Sequence, residues 1–348
     1  MHSPTRIVPV VALALGVGLA VAVVAQQSKP PAPAASAGSA DATARVVASA
    51  QALLKTLDDA GRQKVQFAFD SPQKTKWSNL PSGIFTREGI RLADLSAPQR
   101  AAVMSLLSTA LSPMGYQKVQ NIMEGDEVLR KGESGGRVVF GRDEYYLAFV
   151  GVPSTTEPWM LQFGGHHLAI NLTMGGSAAS MTPSLPAAQP ASFTVEGRTI
   201  RPLGAENDKA FALVNALTDA QRGQAILKYR VADLVLGPGQ DGRTIQPEGV
   251  PASSLTPAQQ TMLVDLIQEW SGIMTDAYAT PRMAEIKANL PQTYFAWSGP
   301  TTNGSPAYFR IQGPTLVIEY APQGGSVDHI HTIYRDPTND YGAKLARK

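Results

Sequence analysis

DLSAPQRAAVMSLL, residues 94–107, decides how the rest of this chain is read, because it occurs twice. SLTPAQQTMLVDLI at 254–267 matches it at an offset of 160 residues, and LDDAGRQKV at 57–65 matches LTDAQRGQA at 217–225 at the same offset. Two independent matches at one offset indicate an internal repeat. The longer word also has local physical content. Ser96 or Thr256 is placed to cap a helix, and Gln99 or Gln259 three positions later completes a capping box. The apolar positions that follow recur at helical spacing.

Beyond those helices each half changes to β-rich, period-two runs: GRVVFG, EYYLAFVGV, WMLQFGG and HHLAINL, then QTYFAWSG, AYFRIQG, TLVIEYA and HIHTIYR. Short Gly, Pro and Ser turns separate them, as antiparallel strands require. The expected fold class is α+β, an internally duplicated unit of helices followed by an antiparallel meander, the two copies packed with a pseudo-twofold relation. The first repeat is assigned to 43–173, a Pro- and Ala-dotted linker arm to 174–205, and the second repeat to 206–348. A helix broken near Gly61 is expected in LLKTLDDAGRQKV.

The chain's N-terminal end reads differently. MHSPTR carries one arginine, and IVPVVALALGVGLAVAVVA is an uncharged apolar run ending in small residues. Residues 1–25 fit a secretory signal cleaved after Ala25, with an uncleaved N-terminal anchor as the alternative. Residues 26–42, rich in Pro, Ala and Ser, read as a flexible spacer. The expected location is extracytoplasmic, periplasmic or secreted. Thirty basic residues against 28 acidic ones, with no basic block, give no footprint for nucleic acid. No membrane contact is expected beyond the N-terminal signal. Cysteine is absent, which removes disulfides, thiol catalysis and every cysteine-based metal site.

Four of the five histidines fall in two short segments, GGHHLAIN at 164–171 and DHIHTIY at 328–334. At an offset of 162, His167 stands opposite His329, which places the two pairs at the same location in the two repeats. On a strand His329 and His331 share a face, and that spacing brings two imidazoles to one ion. His167 is the better ligand candidate of its pair, with His166 nearby as a partly buried neighbour. Three neutral imidazoles, with a carboxylate from Asp328, Glu319 or Glu157, suit zinc, copper or another first-row divalent metal. An open position would suit hydrolysis by activated water. Histidines satisfied by hydrogen bonds in the sheet, and after them a metal-free catalytic histidine, are the alternative readings of the same residues. Downstream, RDPTNDYG at 335–342 reads as a turn, with Asp336 as an oxygen donor and Arg335 able to grip an anion. The competing function is a metal-free binding module holding a small molecule or cell-envelope component between the repeats.

Three stretches, FAFDSPQKTKWSNLP, GVPSTTEPWMLQFGGHHLAIN and DHIHTIYRDPTNDYG, together resemble a bacterial exported family catalogued as domain of unknown function 3500. The likeness runs from about residue 45 to the end. It implies a bacterial protein with a signal segment and one named family region, and it implies no activity.

Overall fold

The helix break expected near Gly61 falls three residues earlier, where Asp58 turns out of α1 (Ala37–Thr56) and caps α2 (Asp59–Val65). The Asp58 carboxylate accepts the Gly61 N–H at 2.8 Å, so a side-chain oxygen takes an orphan donor and a new helix starts with Gly61 inside it. The computed structural model describes residues 37–132 and 136–346. The expected signal, residues 1–25, lies outside the described residues. Helix α1 already begins at Ala37, within the stretch read as spacer, with Ser39 and Ala42 buried.

After α2 come β1 (Gln66–Phe67), β2 (Ile90–Arg91), α3 (Ala97–Ala110), α4 (Pro113–Gly132), β3 (Tyr146–Val150), β4 (Trp159–Gly165) and β5 (Leu168–Gly175). A connecting stretch holds β6 (Ala178–Ser180), β7 (Leu185–Pro186) and the hairpin β8 (Phe193–Val195) with β9 (Arg198–Ile200). There follow α5 (Gly204–Ala216), α6 (Asp219–Ala225), β10 (Val250–Pro251), α7 (Pro257–Ser271), α8 (Asp276–Ala288), β11 (Tyr294–Ser298), β12 (Tyr308–Gly313), β13 (Leu316–Pro322) and β14 (Ile330–Arg335). The class is α+β with largely antiparallel sheets. Capping boxes start α3 at Ser96 and Gln99 and α7 at Thr256 and Gln259. GRVVFG is not a strand: its Val139 makes only an isolated bridge to Ser82.

Strands β1, β3, β4 and β5 lie side by side, as do β10 to β14. The stretch read as a linker arm closes the gap between them. β7 pairs with β5 at Leu168↔Pro186 and Ala169↔Leu185, and the same segment bridges β14 at Ser184↔Tyr334 and Ala188↔Ile330. Both bridges carry reciprocal N–H to carbonyl bonds at 2.9 Å. Residues 184–188 therefore stitch the two strand sets into one surface, flanked by the cis bonds Thr182–Pro183 and Gln189–Pro190.

Period-two alternation sorts the side chains of that surface. Leu161, Phe163, Leu168, Ile170 and Leu172 face the helices, packing on Val46, Leu53, Leu106 and Leu107. Ile318, Tyr320, Ile330 and Tyr334 do the same with Leu213, Leu266 and Trp270. The opposite face is covered by two long loops, 68–89 and 227–249, and several of its polar residues find partners there. Gln73 donates to Gln162 at 2.7 Å, Val235 and Leu236 donate to Glu319, and Arg335 donates to the carbonyls of Leu236 and Gly237. Trp77 closes this side over Ala169, Leu185, Ala187 and Ile333. Among the described residues no helix is long and apolar enough to cross a membrane.

Candidate metal centre

His166 and His167 form the two-residue turn of the β4–β5 hairpin, closed by the Gly165↔Leu168 pair; the strand read as HHLAINL starts at Leu168. His167 takes a left-handed backbone, φ 61°. That conformation costs a non-glycine residue about 1 kcal/mol or more and persists where the surroundings fix it. Two bonds fix it here. The His167 N–H donates to the Asn79 carbonyl at 3.1 Å, and the His167 carbonyl accepts from Ala187 N–H at 2.8 Å.

His331 lies on β14, with His329 two residues before it and just outside the strand, its carbonyl accepting from Gln323 N–H at 2.8 Å. The stitching segment sets the register between the two sources. Leu168 opposite Pro186 puts His167 beside Ala187, and Ala188 opposite Ile330 puts Ala187 beside His331. All three point to the loop-covered face. Neighbouring strands are about 4.8 Å apart, so His167 and His331 are separated by two such steps with only a methyl group between them. Their rings meet above it.

The expected placing of the two histidine pairs at the same location in the two repeats is not found, although the pairs do meet. By element order the His166–His167 turn corresponds to the β12–β13 turn at Pro314 and Thr315, whereas His329 and His331 belong to the later β13–β14 connection. The 162-residue spacing is not positional equivalence, because the connections before the strands differ in length. Convergence comes from β7 lying between β5 and β14.

The three Nε2 atoms point at one another. His167 Nε2 is 2.9 Å from His329 Nε2, which is 3.1 Å from His331 Nε2. The candidate ligand atoms of the three all lie within 4.8 Å. Four-coordinate zinc with Zn–N bonds of about 2.0–2.1 Å sets ligand nitrogens about 3.3 Å apart, so the spacing fits a first-row ion. His331 Nδ1 meets Asp233 Oδ1 at 2.9 Å. An ionised carboxylate only accepts, so Nδ1 holds the proton and a neutral His331 turns the lone pair of Nε2 inward.

Electrostatics favour neutral rings. Burial, reinforced by His166, His331 and His329, holds His167 well below the ordinary imidazole range. Burial first, then His331 and His166, pulls His329 down to about 4 against the opposing pull of Asp233. Burial raises the Asp233 carboxyl, but its bond to His331 and the Leu234 N–H favour the ionised form, and the carboxyl is held below the usual range. Lone pairs gathered in this way suit a cation. His329 is half-buried and the Asp233 side chain is 44% exposed, so the cluster meets solvent on that side.

His166 is a neighbour of the cluster and not a member. Its Nδ1 is bound to Asp126 Oδ1 at 2.6 Å, and its ring lies flat on that of His167 with centroids 3.6 Å apart. The Phe140 ring packs against it, 5.0 Å away. Among the described residues the group able to hold an ion is His167, His329 and His331, without a carboxylate. The expected donors are occupied elsewhere. Asp328 accepts from Ala191 N–H, and Glu319 from two backbone N–H groups and the Tyr308 hydroxyl. Glu157 sits in the exposed turn after Ser154. Asp336 accepts from Thr338 and pairs with Arg282, while the Arg335 guanidinium is buried against Asp241, Asp340 and two carbonyls, leaving it no reach to an anion at the cluster. Sequence reading missed Asn79, Asp126 and Asp233, which reach the histidines from distant loop and helix positions. The only signal was Asn79 within the family-like stretch 67–81.

Fold and site thus define an α+β protein with a buried histidine triad able to hold a metal ion. The chain belongs to the family described as Protein of unknown function (DUF3500), whose model matches residues 39–343. Neither the comparison with curated proteins nor that with solved structures gives a significant match.

Proposed function

We propose that this chain is an exported metal-binding protein in which His167, His329 and His331 hold a divalent first-row ion, zinc or copper, and that the centre supports metal-dependent hydrolysis. The observation that carries the reading is the convergence of three Nε2 atoms, one of them oriented by a carboxylate on its far nitrogen. Asp233 holds the His331 tautomer, and Asp126 with His166 forms a firm wall behind His167. A bound divalent ion would supply Lewis acidity and lower the pKa of water beside it. The protein's part is to keep three neutral donors aimed at one point while the side at His329 and Asp233 admits solvent and substrate. Neutral donors leave the ion's charge uncancelled, which favours that chemistry.

The apolar run at residues 7–25 supports export. The shared 160-residue offset and the recurring element order support descent from a duplicated unit. Metal analysis of purified wild type beside His329→Ala and His331→Ala tests the centre. About one equivalent in the wild type, lost in both variants, is expected; no metal above background after incubation with zinc or copper overturns it. The N-terminal residue of the mature chain tests export by cleavage.

A further inference from the structure

The fourth corner of the cluster is not a carboxylate. The side-chain amide of Asn79 lies 3.2 Å from His331 Nε2, a spacing like those between the histidine nitrogens. We infer that Asn79 is the fourth protein ligand of the centre, through its side-chain oxygen Oδ1. This rests on the metal-binding reading above and adds a donor of a different chemical kind.

Three observations support it. First, a carboxamide presents Nδ2 or Oδ1 to the same point by a half-turn about its last torsion, and the two atoms have nearly the same shape. Facing the His331 lone pair it presents Nδ2; facing a cation it presents Oδ1. Second, the backbone at Asn79 is tied to the site, since its carbonyl accepts the His167 N–H at 3.1 Å. Third, Arg87 fixes both walls at once. One nitrogen of its guanidinium, Nη2, shares its two hydrogens among the carbonyls of Ser78 and Leu80 on either side of Asn79 and the carbonyl of Gly165 before the histidine turn. The loop at Asn79 is thereby tied to the histidine turn, and a ligand position needs such support.

The resulting set, three imidazole nitrogens and one amide oxygen, is neutral and of mixed softness. It suits a divalent first-row ion and disfavours Cu(I), which prefers sulfur donors. First-row ions also accept a fifth position, and the solvent-facing side at His329 remains for it.

Cobalt(II) titration tests the assignment, because its visible absorption reports ligand number and type. Wild type, Asn79→Ala and Asn79→Asp would be titrated with cobalt(II) chloride, with affinity measured by competition against a chelator. Asn79→Ala is expected to weaken binding by about tenfold or more and to change the spectrum. Asn79→Asp, which keeps an oxygen at that place and adds charge, is expected to bind at least as tightly as wild type with a shifted spectrum. Unchanged affinity and spectrum in either variant overturns the assignment of Asn79 while leaving the triad standing. Failure of the wild type to take up cobalt(II) overturns the metal reading itself. If Asn79→Ala does not fold, as judged by circular dichroism, the Asn79→Asp comparison decides alone.

Discussion

The Asp233 carboxylate and the His331 ring meet at 2.9 Å through Nδ1, although 98 residues separate them. This contact sets the tautomer and aims Nε2 at the cluster, so its loss should loosen the ion without removing a ligand. Asp233→Ala is expected to lower zinc affinity by about 10- to 100-fold and leave the stoichiometry at one. Isothermal titration against wild type checks this. Equal affinities would show that the carboxylate does not orient the ligand.

Ala187 should be intolerant of size for a reason particular to this sheet. It is fully buried, it lies between the strands of His167 and His331, and it packs under Trp77 and Ile333. Ala187→Leu would put extra carbons where the rings converge and overpack the cluster, which typically costs about 1–3 kcal/mol. The expected outcome is a lower melting temperature together with loss of metal, whereas Ala187→Gly should keep metal. Thermal unfolding and metal analysis on the same samples separate the effects. A folded Leu variant with wild-type metal content contradicts the register argument.

Local chemistry was the most legible in this chain. The Ser96–Gln99 and Thr256–Gln259 boxes need only residues three apart, and His329 with His331 needs only the two-residue period. The histidine turn was missed because His166–His167 carries no Gly or Asn to advertise a left-handed residue, and the surrounding bonds rather than the residue type hold His167 there. Asn79, Asp126 and Asp233 join through contacts spanning 252, 40 and 98 residues, which no local pattern encodes. Least legible was residues 184–188: a small, Pro-rich stretch that pairs on both edges because it is enclosed between β5 and β14.

The lowered pKa of His329 makes acid destabilisation a prediction with a fixed sign. Near pH 6.5 and below, the unfolded chain protonates this ring, while the folded protein resists until about pH 4. Between those values the unfolded state binds more protons, so stability falls as pH drops and is recovered as pH rises to 7. His167, lowered in the same direction, adds to the slope. Urea unfolding of metal-free protein at pH 7, 5.5 and 4.5 should show that decline, and His329→Asn should flatten it. Stability that rises towards pH 4.5, with the variant parallel to wild type, would contradict the neutral, buried cluster.

Away from the histidines, Lys118 of α4 is buried against Glu206 of α5, and Lys118 also reaches Glu269 of α7 at 3.4 Å, while Lys209 reaches the same Glu269 at 2.7 Å. Burial raises the Glu206 carboxyl, opposed by the charge and hydrogen bond of Lys118. Removing the lysine alone would leave that carboxylate in a dry site, which typically costs about 3–5 kcal/mol, whereas replacing both members by uncharged side chains removes the stranded charge. Lys118→Met should therefore destabilise strongly, and adding Glu206→Gln should restore much of the loss. A double-mutant cycle by chemical denaturation measures this directly, and a double variant no more stable than Lys118→Met would show that packing, not charge, sets the cost at this junction of the two helix sets.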